Sequence, residues 1–182
     1  MPEGIRPSAA IDKALCGRAS NTRTLHKFPR TLHNERMENY FLITNSFLVH
    51  SAIFLLRLFI GACFIVHGLG KLGVVGTGNM EGFTAWLKSL GVPMPHLQAR
   101  AAMLSEIIGG TSILLGCGMR IGALICFFTM IMAGLLGHKG AGYLITNNPP
   151  GAEYTINLAI ICVALFLMGP GAFSVDALLF QP

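Results

Sequence analysis

Apolar residues gather in four blocks along this chain, at Phe47–Leu69, Ala101–Cys117, Ile121–Leu136 and Tyr154–Met168. At about 1.5 Å of helix rise per residue, the first is long enough to cross the roughly 30 Å hydrocarbon layer of a bilayer. The other three lie near the lower limit for crossing, which calls for helices close to the membrane normal or for local thinning. Only Gly118, Met119 and Arg120 separate the second block from the third, so those two form a tight helical hairpin. Between the first two blocks, Phe83, Trp86, Leu87 and Leu90 recur at helical spacing, with Glu81, Thr84 and Lys88 at other positions. That pattern predicts a short amphipathic helix within 81–95, lying in the interface with Trp86 at headgroup level and stopped by Gly91 and Pro93. The expected fold is an all-α membrane protein: a four-transmembrane-helix bundle with a short interfacial amphipathic helix between helices 1 and 2. A Gly/Pro/Asn loop joins the last two spans.

The polar residues inside these blocks are the second layer of the pattern. His67 and Lys71 close the first, Glu106 stands near the start of the second, His138 closes the third, and Glu153 with Asn157 opens the fourth. Antiparallel helices bring the end of one span beside the start of the next, so these residues share a depth. Ionisable groups in hydrocarbon are costly and are retained with a partner or a task. Cys63 and His67, His67 and Lys71, and Glu153 and Asn157 each stand four apart and share a helix face. Gly109 and Gly110 follow Glu106 on its own face, where small residues admit a neighbouring helix and turn the carboxylate inward. Arg57 falls near mid-bilayer and needs a buried partner, for which Asp176 is the candidate. The cluster admits three uses: a cavity handling protons and a polar headgroup, a pathway for a carried molecule or ion, or a network that only fixes helix packing. Lys71 reaching the interface and Glu106 tying two helices would satisfy the last. Two histidines and two carboxylates drawn from four helices lack the compact spacing of a metal site, so no metal is assigned.

Composition supports a membrane setting. The chain has 182 residues, of which 53% are hydrophobic and 12% charged, whereas soluble domains carry about a quarter charged residues. Residues 1–40 are polar and carry seven Lys/Arg against four Asp/Glu, and the remainder six against four. The formal charge of +5 therefore sits largely in a tail beside a membrane and gives no reason to expect nucleic acid. Residues 1–40 read as a disordered cytoplasmic tail, with Met37 an alternative start, and 45–180 as the membrane domain. The tail's basic excess places both termini in the cytoplasm and the polar cluster in the outer half of the bilayer. Five dispersed cysteines form no C-x-x-C pair, and the later ones read as small packing residues. G-L-G-K at 68–71 ends an apolar span and lacks the strand that a phosphate-binding loop follows.

The stretches LLRLFIGACFIVHGLGKL (55–72), SEIIGGTSILLGCGMRIGAL (105–124), MIMAGLLGHKGAGY (130–143), EYTINLAI (153–160) and GPGAFSVD (169–176) resemble, in order, the DoxX family of small four-helix integral membrane proteins. The resemblance covers about residues 50–180. It implies a protein of the bacterial inner membrane linked to redox systems, as a subunit of thiosulfate:quinone oxidoreductase or of oxidative-stress assemblies with soluble partner subunits. The resemblance carries over His67, Lys71, Glu106, His138 and Glu153, with Arg57 as the buried arginine. Joined to the reading of the residues, His67 and Glu106 are the catalytic candidates, Lys71, His138, Glu153 and Asn157 the substrate-binding ones, and Arg57 and Asp176 structural buried charge. No haem, flavin or iron–sulfur signature is present in the chain, so any electron transfer needs a partner subunit or a bound quinone. The alternatives are an assembly subunit without its own chemistry and a small-molecule carrier. Four short helices with no inverted repeat suit a carrier poorly.

Overall fold

The computed structural model describes residues 45–180. The expected tail at 1–40 lies outside the described residues. Six helices follow one another within them: α1 (Ser46–Leu72), α2 (Met80–Ser89), α3 (Pro95–Leu115), α4 (Met119–Gly137), α5 (Glu153–Met168) and α6 (Val175–Phe180). No strand occurs among the described residues. Helix α1 packs along α3, α3 along α4, and α4 along α5, while α2 lies across α3.

Two of these helices, α1 and α4, are long and apolar enough to cross a membrane. Helix α5 is apolar but has 16 residues, about 24 Å at 1.5 Å per residue. Helix α3 begins at Pro95, where the sequence pattern places the start of the span at Ala101. Proline is well suited to the first helical position because its missing N–H has no partner there. The stretch Pro95–Arg100, with His96, Gln98 and Arg100 as its polar members, therefore forms the leading turns of α3. The amphipathic helix ends at Ser89 with Leu90 as its cap, directly before the expected stop at Gly91. Helix α6 was not expected from the pattern.

Phe64, Ile113, Met119, Ala123, Cys126 and Leu165 are buried at the centre of the core. Outside, the helices present large apolar side chains, among them Phe59, Ile121, Phe128, Ile160 and Leu167. Water tolerates contiguous surfaces of this kind poorly, whereas lipid tails cover them without cost.

Close approach between backbones decides how the helices cross. A Cβ on Gly61 would lie 2.7 Å from the Gly110 carbonyl oxygen, and one on Gly110 would lie 2.9 Å from that of Gly61. A Cβ on Gly109 would likewise lie 3.1 Å from the Gly122 carbonyl oxygen on α4. The glycines after Glu106 thus do what their spacing suggested, seating α3 against α1 and α4 at once. Gly110→Ala should cost about 1–3 kcal/mol through overpacking, read as a lower thermal midpoint of the detergent-solubilised protein. Gly70→Ala meets only ordinary contact at 3.5 Å and serves as the control, with equal or higher stability expected from its better helix propensity.

The turn between α3 and α4 depends on backbone freedom. Gly116 and Gly118 have φ of +67° and +57°, a region that side chains disfavour. Ser112's carbonyl accepts from the N–H groups of Gly116 and Cys117, satisfying the end of α3.

Candidate functional site

Lys71 leaves the last turn of α1 and meets Glu106 on α3, Nζ to Oε2, at 2.5 Å. Glu106 is 3% exposed and Lys71 20%, so the carboxylate is sealed inside while the ammonium reaches outward. On the outer side the ammonium lies 5.3 Å from the centroid of the Phe83 ring, on α2. An aromatic face beside a partly desolvated cation is attractive and also sheds water.

One turn earlier on α1, His67 Nε2 shares a hydrogen bond of 2.7 Å with the Tyr154 hydroxyl, at the start of α5. The same hydroxyl lies 3.0 Å from Cys63 Sγ. The shared face of Cys63 and His67 therefore clasps one tyrosine. The hydroxyl has one proton to donate, so it gives to one neighbour and accepts from the other. Tyr154 enters the sequence pattern only as a span boundary. The signal that marks it is the i, i+4 pair of Cys63 and His67, which wants a polar partner from a facing helix.

His67 and Lys71 both border a cavity of about 470 Å³, with Val66, Val75, Asn79 and Phe83 among the other walls. Its floor is the α1 end and its roof is α2 with the preceding loop. Asn79 shapes that roof by capping α2, its Oδ1 accepting the Gly82 N–H at 2.7 Å. Trp86, stacked on Phe83 at 5.8 Å between centroids, rests against Gly137 at the end of α4. Glu106 does not border the cavity and stands behind Lys71.

The remaining members of the expected cluster are placed elsewhere. His138 Nδ1 is 2.7 Å from the Pro150 carbonyl oxygen, which fixes the ring to the loop between α4 and α5. Glu153 accepts the Ile145 N–H at 3.0 Å, and Asn157 accepts from the Tyr143 hydroxyl at 3.2 Å. All three bind the same loop. Side chains at helix ends beside Gly/Pro segments often find backbone groups there in preference to one another. The single inward cluster of the sequence reading is therefore two sets: His67, Lys71, Glu106 and Tyr154 around the cavity, and His138, Glu153 and Asn157 stapling a loop. Among the described residues no three His, Cys, Asp or Glu side chains converge to hold a metal ion.

The expected bond between Arg57 and Asp176 is not formed. Arg57, 1% exposed, donates from Nε to Ile113 O at 3.0 Å, from Nη2 to Leu114 O at 3.2 Å, and from Nη1 to Pro170 O at 2.7 Å and Phe173 O at 2.8 Å. The Ile113 and Leu114 carbonyls at the end of α3 carry the negative end of the helix dipole, Ile113 also accepting the Gly116 N–H at 3.2 Å, so they suit a guanidinium. Asp176 takes the complementary position, accepting the Gly118 N–H at 2.9 Å at the start of α4. The two charges influence each other only through space.

Known proteins resemble this chain. The DoxX family model matches residues 52–139, which contain the α1 to α4 core, Arg57, the cavity and the Lys71–Glu106 pair. The chain is 28% identical over 123 residues to the inner membrane protein YphA of Escherichia coli (strain K12), covering 66% of this chain and 84% of that protein. It is 29% identical over 127 residues to CatD of Bacillus subtilis (strain 168), which is provisionally named an oxidoreductase, covering 70% of this chain and 86% of that protein. No solved structure matches the chain. With motifs, helices and relatives in agreement, residues 52–139 carry a DoxX family domain, and the chain is similar to membrane proteins of that family.

Proposed function

We propose that this protein is the membrane subunit of a redox-linked complex, and that the cavity beside His67 and Lys71 receives the polar head of a quinone or a small sulfur compound. The observation that carries the reading is the pairing at the cavity wall. Two proton-bearing side chains face it, His67 and Lys71, and each has a second titratable group directly behind it, Tyr154 and Glu106. A packing tie needs no opening onto a cavity. Val66, Val75 and Phe83 supply apolar walls for a ring, and His67 with Lys71 supplies donors for its oxygens, which is the lining such a head requires.

A quinone, when bound, takes up two electrons and two protons on its way to the quinol. This chain lacks a redox centre motif, so the electrons come from a partner subunit. His67 holds or passes one proton, replenished along the Tyr154 hydroxyl. Lys71 orients the other oxygen and offers the second route, with Glu106 acting as a positioning residue through Lys71. His138, Glu153 and Asn157 fix the loop at this end and have no direct role. In this reading α3 and α5 cross the membrane with α1 and α4, α2 lies at the interface, and both termini are cytoplasmic, following the basic residues of the tail. The partner-free alternative, an assembly subunit, draws support from the glycine crossings of α1 and α3, which the Lys71–Glu106 pair also bridges.

The chain has one tryptophan, and Trp86 stacks on the cavity wall residue Phe83. A short-chain quinone titrated into the full-length protein in nanodiscs should therefore quench its fluorescence saturably. Glu106→Gln and His67→Ala should each weaken that binding at least about tenfold, the worth of one good hydrogen bond to a charged group, while keeping native helicity. Both should also abolish quinone reduction in membranes carrying the native complex. Non-saturable quenching that is identical in all three proteins would refute the reading.

A further inference from the structure

A second cavity, of about 690 Å³, lies on the other side of α2, between that helix, the start of α3 and the end of α1. Its character differs from the first. Lys88, His96 and Arg100 line it together with Glu81, over an apolar base that includes Leu72 and Met103. Lys71–Glu106 is the salt bridge among the described residues, so neither Lys88 nor Arg100 spends its charge on a carboxylate. Two permanent cations and a histidine face one groove against a single acid. Met94 and Leu97, on either side of His96 in sequence, are exposed, giving the combination of cations and apolar side chains that seats a segment among lipid headgroups.

We propose that this groove holds the phosphate of an anionic phospholipid, with Lys88 and Arg100 as its charge partners, His96 as a further donor, and the first carbons of its chains against Leu72 and Met103. The proposal does not rest on the redox reading, since no residue is shared between the two cavities. Arg100 suits the task because its planar guanidinium can give two N–H groups to one phosphate, while Lys88 contributes a point charge. Glu81 sets a limit on what fits, disfavouring a second negative charge near the α2 start. A singly charged phosphodiester is thus the better occupant than a phosphomonoester. Because α2 also roofs the first cavity, an occupied groove would steady that roof.

The test uses the full-length protein in detergent, with bound lipid counted by native mass spectrometry. Dioleoylphosphatidylglycerol, dioleoylphosphatidylcholine and inorganic phosphate are titrated separately. One phosphatidylglycerol should be retained well below the concentration at which phosphatidylcholine binds, and inorganic phosphate should bind weakly. Each cation removed should weaken retention about fivefold, the usual worth of a basic residue at an anionic surface, so the double variant Lys88→Gln/Arg100→Gln should lose about 25-fold. Lys139→Gln removes an exposed charge at the C-terminal end of α4, outside the groove, and should leave retention unchanged. Circular dichroism and gel filtration establish that each variant is folded, and the single Arg100→Gln variant reads the effect with the least perturbation. Equal retention of the two lipids, equal loss in Lys139→Gln, or tight binding of inorganic phosphate without lipid retention would each overturn the proposal.

Discussion

Arg57→Met should destabilise the folded protein by on the order of 3–5 kcal/mol, the cost of breaking a buried, fully hydrogen-bonded charged group. Methionine fills a similar volume and removes a charge that is expensive to insert, so hydropathy alone would forecast a gain. The structure forecasts the reverse. Four carbonyls, those of Ile113, Leu114, Pro170 and Phe173, converge on one guanidinium. Ile113 would keep the Gly116 N–H at 3.2 Å, while Pro170 and Phe173 would lose their donor in a place lipid cannot supply one. The end of α3 and the segment leading to α6 would then come apart, taking the Asp176 cap of α4 with them. Insertion and folding should separate in the data: undiminished protein in the membrane fraction, but a sharply lower thermal midpoint and an aggregated gel-filtration profile after solubilisation. Arg57→Lys keeps the charge yet offers one nitrogen where arginine uses three, and should fall between the two. A methionine variant as stable as the parent would show that these carbonyls find other donors.

Arg57 also shows what the sequence could and could not reveal. Its position ten residues into an apolar span marks it as buried and partnered, and it is both. Its partners are backbone carbonyls, which leave no trace in a pattern of side chains, so Asp176 stood out as the nearest acid. The helices were legible because hydropathy reports them directly: Phe47–Leu69 against Ser46–Leu72, and Tyr154–Met168 against Glu153–Met168. The start of α3 was less so, because its first turn is polar and the pattern stops at Arg100. For the site, the polar helix ends were legible and their partners were not. His138, Glu153 and Asn157 stand at the ends of α4 and α5, where a loop of glycines and prolines takes their hydrogen bonds. Glu106 was readable for a different reason. The glycines behind it state which side of α3 is closely packed, and the carboxylate lies on that side.

That burial makes the Lys71–Glu106 pair unequal, and the inequality is measurable. Lys71→Gln strands a carboxylate that is 3% exposed, whereas Glu106→Gln strands an ammonium that is 20% exposed and already faces the cavity. A stranded lysine can swing its flexible stem toward water. A stranded Glu106 has no such exit and must stay buried or take up a proton at a cost. Lys71→Gln should therefore destabilise by about 3 kcal/mol, near the lower end for breaking a buried pair, and Glu106→Gln by about 1 kcal/mol, the worth of one ordinary hydrogen bond. The double variant, with two neutral amides that can bond to each other, should recover most of the loss in Lys71→Gln, leaving about 1 kcal/mol and giving a coupling energy of about 3 kcal/mol. Thermal midpoints of the four proteins in one detergent supply the cycle. The same four proteins in the quinone titration then separate the two readings of the pair. If it only ties α1 to α3, quinone affinity should follow stability, and the double variant should bind as the parent does. If it serves the cavity, the double variant should regain its fold and still fail to bind, because the fold needs a matched pair while the ligand needs the charge on Lys71.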